Sequence, residues 1–357
     1  MPEGFKTRVA VIGAGKFGTR RAMASTAHSG TSMIVVADLV EERAAQLSHL
    51  LGCAATTNCK EAATRGDVDV VIVSTPTQYL AETARLALEA GKHVLVEKPF
   101  GRTPEEVLPL AGLAARNNLR LKAGYNHRYH PALLKAYELF AGGAIGRPLF
   151  LRCCYGHGGR EGYEQEWRTH SDVSGGGELL DQGVHALDLF QWFAGSFEEV
   201  TGFVTTAYWP IAPTEDNAFA LLRTSSGCVA QLHASWTNWK NIFTFEVFGE
   251  TGSLTVSGLG GSYGPERLCF ASRREAGSRP DEEWFEFPKE DPSLELEWAD
   301  FVLCIAEGRD PSCGAAQAWQ TLKLVQAIYD SDRGHRAKSR WENGRLRLRA
   351  ATAVQAS

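Results

Sequence analysis

Along the first 125 residues, short runs rich in Val, Ile and Ala alternate with stretches whose apolar residues recur every three or four positions. The runs are Arg8–Ile12, Met33–Ala37, Val68–Ser74, His93–Val96 and Leu119–Ala123. Each is too short for a helix, and its apolar residues are consecutive, which predicts strands covered on both faces. Between them, Thr19–Ala27, Glu41–Leu51 and Ala81–Ala90 read as helices. Strand–helix alternation of this kind predicts an α/β fold with a doubly wound parallel sheet.

The pattern changes near Gly124. After a helix expected over Pro131–Phe140, the strand-like segments are Leu149–Tyr155, Val200–Tyr208, Ala218–Leu222, Cys228–Trp236, Phe243–Phe248 and Ser253–Val256. Few helical stretches separate them and turn residues such as Ser225-Ser226-Gly227 join them, which predicts a mainly antiparallel sheet. A helix over about Glu178–Phe193 interrupts the series, and two more, about Leu294–Ala306 and Ala315–Asp330, follow it. The reading is two domains: residues 1–124, a doubly wound domain of Rossmann type, and residues 125–357, an α+β domain, with a cleft between them.

Composition narrows the function classes. The net charge of −5 gives no reason to expect a nucleic-acid partner. Residues 331–357 are locally basic, with seven Lys/Arg against two acids, and read as a solvated or partly disordered tail. No apolar run approaches the roughly 18 residues of a membrane span. Met1–Lys6 runs directly into the first strand, so no signal peptide is expected. The eight cysteines form no CxxC pair, which predicts reduced thiols in a cytoplasmic protein.

The first chemical motif is Gly13-Ala14-Gly15-Lys16-Phe17-Gly18, after a strand and before a helix. In that context Gly13 permits the tight turn, Gly15 lets a pyrophosphate approach the backbone, and Gly18 lets helix and strand pack closely. Lys16 and Phe17 belong to the same loop, just ahead of a helix N-terminus whose N–H groups favour phosphate. Asp38, twenty residues beyond Gly18, can accept from the adenosine ribose hydroxyls. Its charge would repel a 2′-phosphate, so NAD is expected rather than NADP.

The second motif is Gly175-Gly176-Gly177-Glu178-Leu179-Leu180-Asp181-Gln182-Gly183-Val184-His185. On a regular helix, Asp181 and His185 share a face. Removing hydride from a secondary alcohol needs a base for the hydroxyl proton, and an imidazole titrates in the right range. Asp181 would orient that imidazole. Lys98, in Glu97-Lys98-Pro99 at the end of a parallel strand, would stabilise charge on the reacting oxygen.

Taken together, Gly13–Gly18, Thr75-Pro76, the segment Ala90–Pro99, Trp167-Arg168 and Gly175–Asp188 resemble the Gfo/Idh/MocA oxidoreductases. The resemblance covers nearly the whole chain. It implies that Lys98, Asp181 and His185 act on substrate, and that Thr75, Pro76, Glu97, Lys98 and Asn126 border the cofactor. Family members often carry Asn and His where this chain has Thr77 and Leu80. In such a family the expected reaction is hydride transfer between NAD and a ring hydroxyl of a sugar, glycoside or cyclitol. The alternatives are an NAD-dependent glycosidase working by transient oxidation, and a cofactor-binding regulator without turnover. The resemblance also implies a homo-oligomer, dimer or tetramer.

Tyr155–Arg168 is polar and aromatic, which suits a polyhydroxylated ring; His157, Arg160, Tyr163 and Arg168 are its substrate candidates, joined by Arg128 and Asn238. His157, Asp181 and His185 lack a short ligand spacing, and Lys98 is a poor neighbour for a cation, so no metal is expected.

Overall fold

The central strand of the first half, β1 (Thr7–Ile12), has Val9, Ala10, Val11 and Ile12 fully buried, as its consecutive apolar residues require. The computed structural model describes residues 6–273, 279–288, 290–342 and 345–348. After β1 come α1 (Lys16–Ala27), β2 (Thr31–Ala37), α2 (Glu41–Leu51), β3 (Ala54–Thr56), α3 (Cys59–Thr64) and β4 (Val70–Val73). Then follow α4 (Thr77–Glu89), β5 (His93–Glu97), α5 (Pro104–Arg116) and β6 (Leu121–Gly124). The strands form one parallel sheet in the order β3-β2-β1-β4-β5-β6. The order reverses between β1 and β4, and ligands bind such sheets outside the C-terminal ends of the strands at that point.

In the second half α6 (Pro131–Ala141) leads to β7 (Pro148–Gly156). A long connection then carries the one-turn α7 (Ser171–Ser174), a π-helical turn (Leu179–Gly183) and α8 (Val184–Ala194). It continues into β8 (Phe197–Thr205), β9 (Asn217–Thr224), β10 (Val229–Ser235), β11 (Ile242–Gly249), β12 (Gly252–Ser257), β13 (Arg267–Ser272) and β14 (Asp281–Glu286). With β7 these make an eight-stranded sheet, order β14-β13-β12-β11-β7-β10-β9-β8. Neighbours are antiparallel except β7 and β10, which run parallel. The inner face packs on α8 and α10 (Ala315–Lys338) through residues such as Leu187, Phe190, Leu322 and Val325. The outer face leaves Phe150, Phe203, Phe219 and Leu221 exposed.

Two features depart from the expected pattern. The helix α9 (Ser293–Glu307) follows the second sheet, yet Trp298, Phe301 and Val302 lie in one apolar cluster with Val9, Val11, Ile72 and Leu95 of the first. The division at residue 124 therefore separates chain segments and not cores. The basic tail, expected to be solvated or partly disordered, carries regular structure: α10 runs to Lys338 and is followed by the antiparallel pair β15 (Ser339–Glu342) and β16 (Arg345–Leu348). Its last part, 349–357, lies outside the described residues.

Candidate active site

The loop after β1 is shaped by contacts that exclude side chains. A Cβ on Gly13, where φ is +97°, would lie 2.4 Å from the carbonyl oxygen of Ser74, and one on Gly18 would lie 1.9 Å from that of Gly13. Gly15 differs: a Cβ there meets nothing within 4 Å, so bare backbone faces open space at the start of α1. Asp38 accepts from the Ala14 N–H at 2.7 Å and the Val40 N–H at 2.8 Å, which ties the loop to the end of β2. Thr75 Oγ1 is buried without a partner, just before Pro76 caps α4. An open backbone cradle, a helix N-terminus, a carboxylate and an orphaned hydroxyl fit NAD. Lys16 is exposed and Phe17 half-buried in the first turn of α1. Thr77 and Leu80 are buried, 4% and 1% exposed, and Leu80 belongs to the apolar core.

Lys98, just past β5, reaches across to Asp181 at the π-helical turn. Its Nζ donates to Asp181 Oδ1 at 2.7 Å and also to the Asp181 carbonyl. Asp181 Oδ2 lies 3.4 Å from Arg168 Nε. Burial works against the Asp181 charge, but Lys98 and then Arg168 hold its carboxyl down at about 2. Asp181 thus pairs with Lys98 rather than with His185, a correction to the regular-helix reading. The cause is local: i→i+5 bonding over Leu179–Gly183 inserts a residue into the helix and rotates Asp181 out of register with His185.

His185, at the start of α8, is 4% exposed and stacks on His127, with ring centroids 3.7 Å apart and planes at 22°. Its Nδ1 has no partner, nor has either ring nitrogen of His127. Burial, reinforced by Lys98 and His130, pushes the His185 pKa well below the ordinary imidazole value. The site therefore holds a neutral imidazole near a locked ammonium–carboxylate pair. That combination can accept a hydroxyl proton while stabilising charge on the oxygen.

The other candidates divide. His157 and Arg168 belong with this cluster: His157 senses Asp181, and its Nδ1 accepts from the Gly159 N–H at 2.9 Å, leaving Nε2 to carry the proton of the neutral ring. Asn238 is half-buried, its N–H donating to the His157 carbonyl at 3.2 Å and its Nδ2 unpartnered. Arg160 stands at the rim, 60% exposed and paired with Glu166. Tyr163 is 1% exposed, packed edge-on against Trp236, and so shapes the wall rather than meeting a ligand.

Three residues are committed elsewhere. Arg128 spends Nε and Nη2 on Asp188, at 2.7 and 2.6 Å, and Nη1 on the Ser312 carbonyl, which takes three of its five N–H donors and anchors the buried guanidinium in the fold. Glu97 is 6% exposed and paired with Arg21, which also binds Glu297 of α9. Through that shared guanidinium it joins the two halves. Asn126 donates to Ser293 Oγ at 2.8 Å and likewise ties the junction to α9. The residues unassigned in the sequence are His127, Tyr155, Glu178, Gln182 and Tyr263, which surround the cluster. Glu178 and Gln182 stand inside the Gly175–Asp188 segment, but nothing in their spacing marks a role.

Two family profiles match the chain. An oxidoreductase family profile with an NAD-binding Rossmann fold covers residues 7–125, and a Gfo/Idh/MocA C-terminal domain profile covers residues 133–255. Levoglucosan dehydrogenase of Pseudarthrobacter phenanthrenivorans is 26% identical over 86% of this chain and 88% of its own. A dTDP-3,4-didehydro-2,6-dideoxy-alpha-D-glucose 3-reductase of Streptomyces violaceoruber is 31% identical over 70% of this chain and 72% of its own. Among solved structures, levoglucosan dehydrogenase in complex with NADH and levoglucosan superposes with a TM-score of 0.84 at 25% identity, over 92% of this chain and 98% of that one. Loop, cluster and architecture agree with these matches, and the chain belongs to the Gfo/Idh/MocA oxidoreductases, with an NAD-binding Rossmann fold as its first half.

Proposed function

We propose that this chain is an NAD-dependent dehydrogenase, reversible as a ketoreductase, for a secondary ring hydroxyl of a sugar, glycoside or cyclitol. One observation carries the reading: a desolvated, neutral His185 lies near the Lys98–Asp181 pair, at the C-terminal ends of the Rossmann strands. NAD, when bound, accepts or returns the hydride. His185 takes the hydroxyl proton as the carbonyl forms. The Lys98 ammonium donates to the reacting oxygen, and Asp181 holds that ammonium in place. Arg168 and His157 present donors to neighbouring hydroxyls. The sugar-directed names of the relatives support the substrate class. Asp38, already accepting from two backbone N–H groups, favours NAD over NADP. Eight free cysteines suit a cytoplasmic setting, and among the described residues no helix is long and apolar enough to cross a membrane. The exposed aromatic face of the second sheet supports a homo-oligomer, dimer or tetramer.

The test is a panel of inositols, sugars, aminosugars and glycosides with NAD or NADP, followed by reduced-nicotinamide absorbance. Wild type should form NADH with at least one panel member. His185→Ala and Lys98→Ala should each lose about 10²–10⁴-fold in kcat/KM. Full activity in either variant would remove that residue from the chemistry, and sugar release without net NADH would replace the reading with the glycosidase one.

A further inference from the structure

Glu178 has no task in the chemistry above, and its surroundings are costly for it. It sits between the triple-glycine turn and the π-helical turn, its N–H donating to the Glu215 carbonyl at 3.1 Å. The side chain is 0% exposed, and neither carboxylate oxygen has a hydrogen-bond partner. Asp181 faces it from the same turn, Lys98 from the end of β5 and Glu215 from the segment before β9. The phenols of Tyr155, Tyr163 and Tyr263 face it from β7 and two loops. The Ser235 main chain approaches at the end of β10 without hydrogen-bond geometry.

Lys98 is the cation within reach, and its ammonium is already held by Asp181 through both the carboxylate and the carbonyl. A second carboxylate, buried and unpartnered beside the first, is an arrangement that proteins relieve by keeping the proton. We propose that Glu178 is a positioning residue of this reaction: an uncharged carboxylic acid packed behind Asp181, whose neutrality leaves Lys98 to one carboxylate. This rests on the dehydrogenase reading. With Glu178 neutral, Lys98 and Arg168 together outweigh the single charge of Asp181, which favours negative charge on the substrate oxygen. With Glu178 ionised, a second negative charge competes for Lys98 and opposes the alkoxide. Activity then falls at high pH. Burial first, then the Asp181 charge, pushes the Glu178 carboxyl well above the usual carboxylate range, against the pull of Lys98.

The sign for stability follows. A carboxyl raised in the fold contributes stability that is complete below its unfolded value, about 4.3, and that is lost as pH rises toward its folded value. Glu178→Gln keeps the shape and cannot ionise. In thermal unfolding of the full chain between about pH 5 and about pH 9, the variant should gain on wild type as pH rises. A gap that stays constant across that range would overturn the uncharged state. Glu178→Leu, apolar and close in size, carries the same expectation if the Gln variant does not fold. With the best panel substrate, Glu178→Gln should move the alkaline limb of kcat/KM up by about one unit or more. An unmoved limb, or a loss at neutral pH of about a hundredfold or more, would overturn the positioning role. If no panel member turns over, the dehydrogenase reading fails, while the unfolding series still decides the charge of Glu178.

Discussion

His185 must be neutral to take a proton, and its neighbours arrange that. Burial and the nearby Lys98 ammonium disfavour the imidazolium, and the stacked ring of His127 is disfavoured as a cation for the same reason. In the oxidation direction kcat/KM should therefore stay flat as pH falls through the ordinary imidazole value, about 6.5, and drop only below it. A limb centred at or above that value would show that this imidazole is not a desolvated base. The same burial makes the fold lose stability as pH falls below about 6.5, because the unfolded chain takes the proton first. At this scale the sequence makes Lys98, Asp181 and His185 legible through residue type and motif. It does not make their pairing legible. Arg128 shows the same limit: a guanidinium read as a substrate ligand turns out to have a bidentate partner, Asp188, sixty residues away.

The π-helical turn decides which way Asp181 points, and Glu215 holds the entry to that turn. One oxygen, Oε1, accepts from the N–H groups of Gly177 and Leu179, at 3.0 and 3.1 Å, and from the Tyr329 hydroxyl at 2.7 Å. A Cβ on Gly177 would lie 1.9 Å from the Glu215 carbonyl oxygen, so the turn and this residue are in direct backbone contact. Glu215→Ala should cost about 2–5 kcal/mol in chemical denaturation, from three buried donors left unpaired. A cost within experimental error would show that water replaces the carboxylate. Elements with strong apolar patterns, such as β1, β4 and α9, appear in the sequence close to their observed bounds. Of the elements that the sequence reading passes over, two have patterns that are silent. β3 has only three residues, and β14 is the edge segment Asp-Glu-Glu-Trp-Phe-Glu, whose charges guard the edge at the expense of any strand signature. The parallel pairing of β7 with β10 also leaves no trace, because alternation records a face and not a direction.

Across the molecule, the two halves are joined by buried charge as well as by apolar packing. Arg21 of α1 is 3% exposed and is shared by Glu97 of β5 and Glu297 of α9, while Lys122 of β6 lies 3.7 Å from Glu297. Trp298 adds a hydrogen bond from its indole to Thr31 Oγ1 at 2.9 Å. Arg21→Ala would leave two carboxylates buried without that cation, and should lower stability by about 3–5 kcal/mol. An unchanged unfolding midpoint would mean that Lys122 and water suffice. Two architectures are legible in the sequence because each has its own periodicity. The crossing of α9 into the first core is not, since an amphipathic helix does not say whose face it covers. That crossing has a consequence during synthesis. When β6 has left the ribosome, every strand of the first sheet exists, yet the flank that Trp298, Phe301 and Val302 will cover is still bare. At about 5–20 residues per second, the nascent NAD-binding half waits roughly ten to thirty seconds for its cover. Throughout that interval it is a client for whatever holds exposed apolar surface out of aggregates.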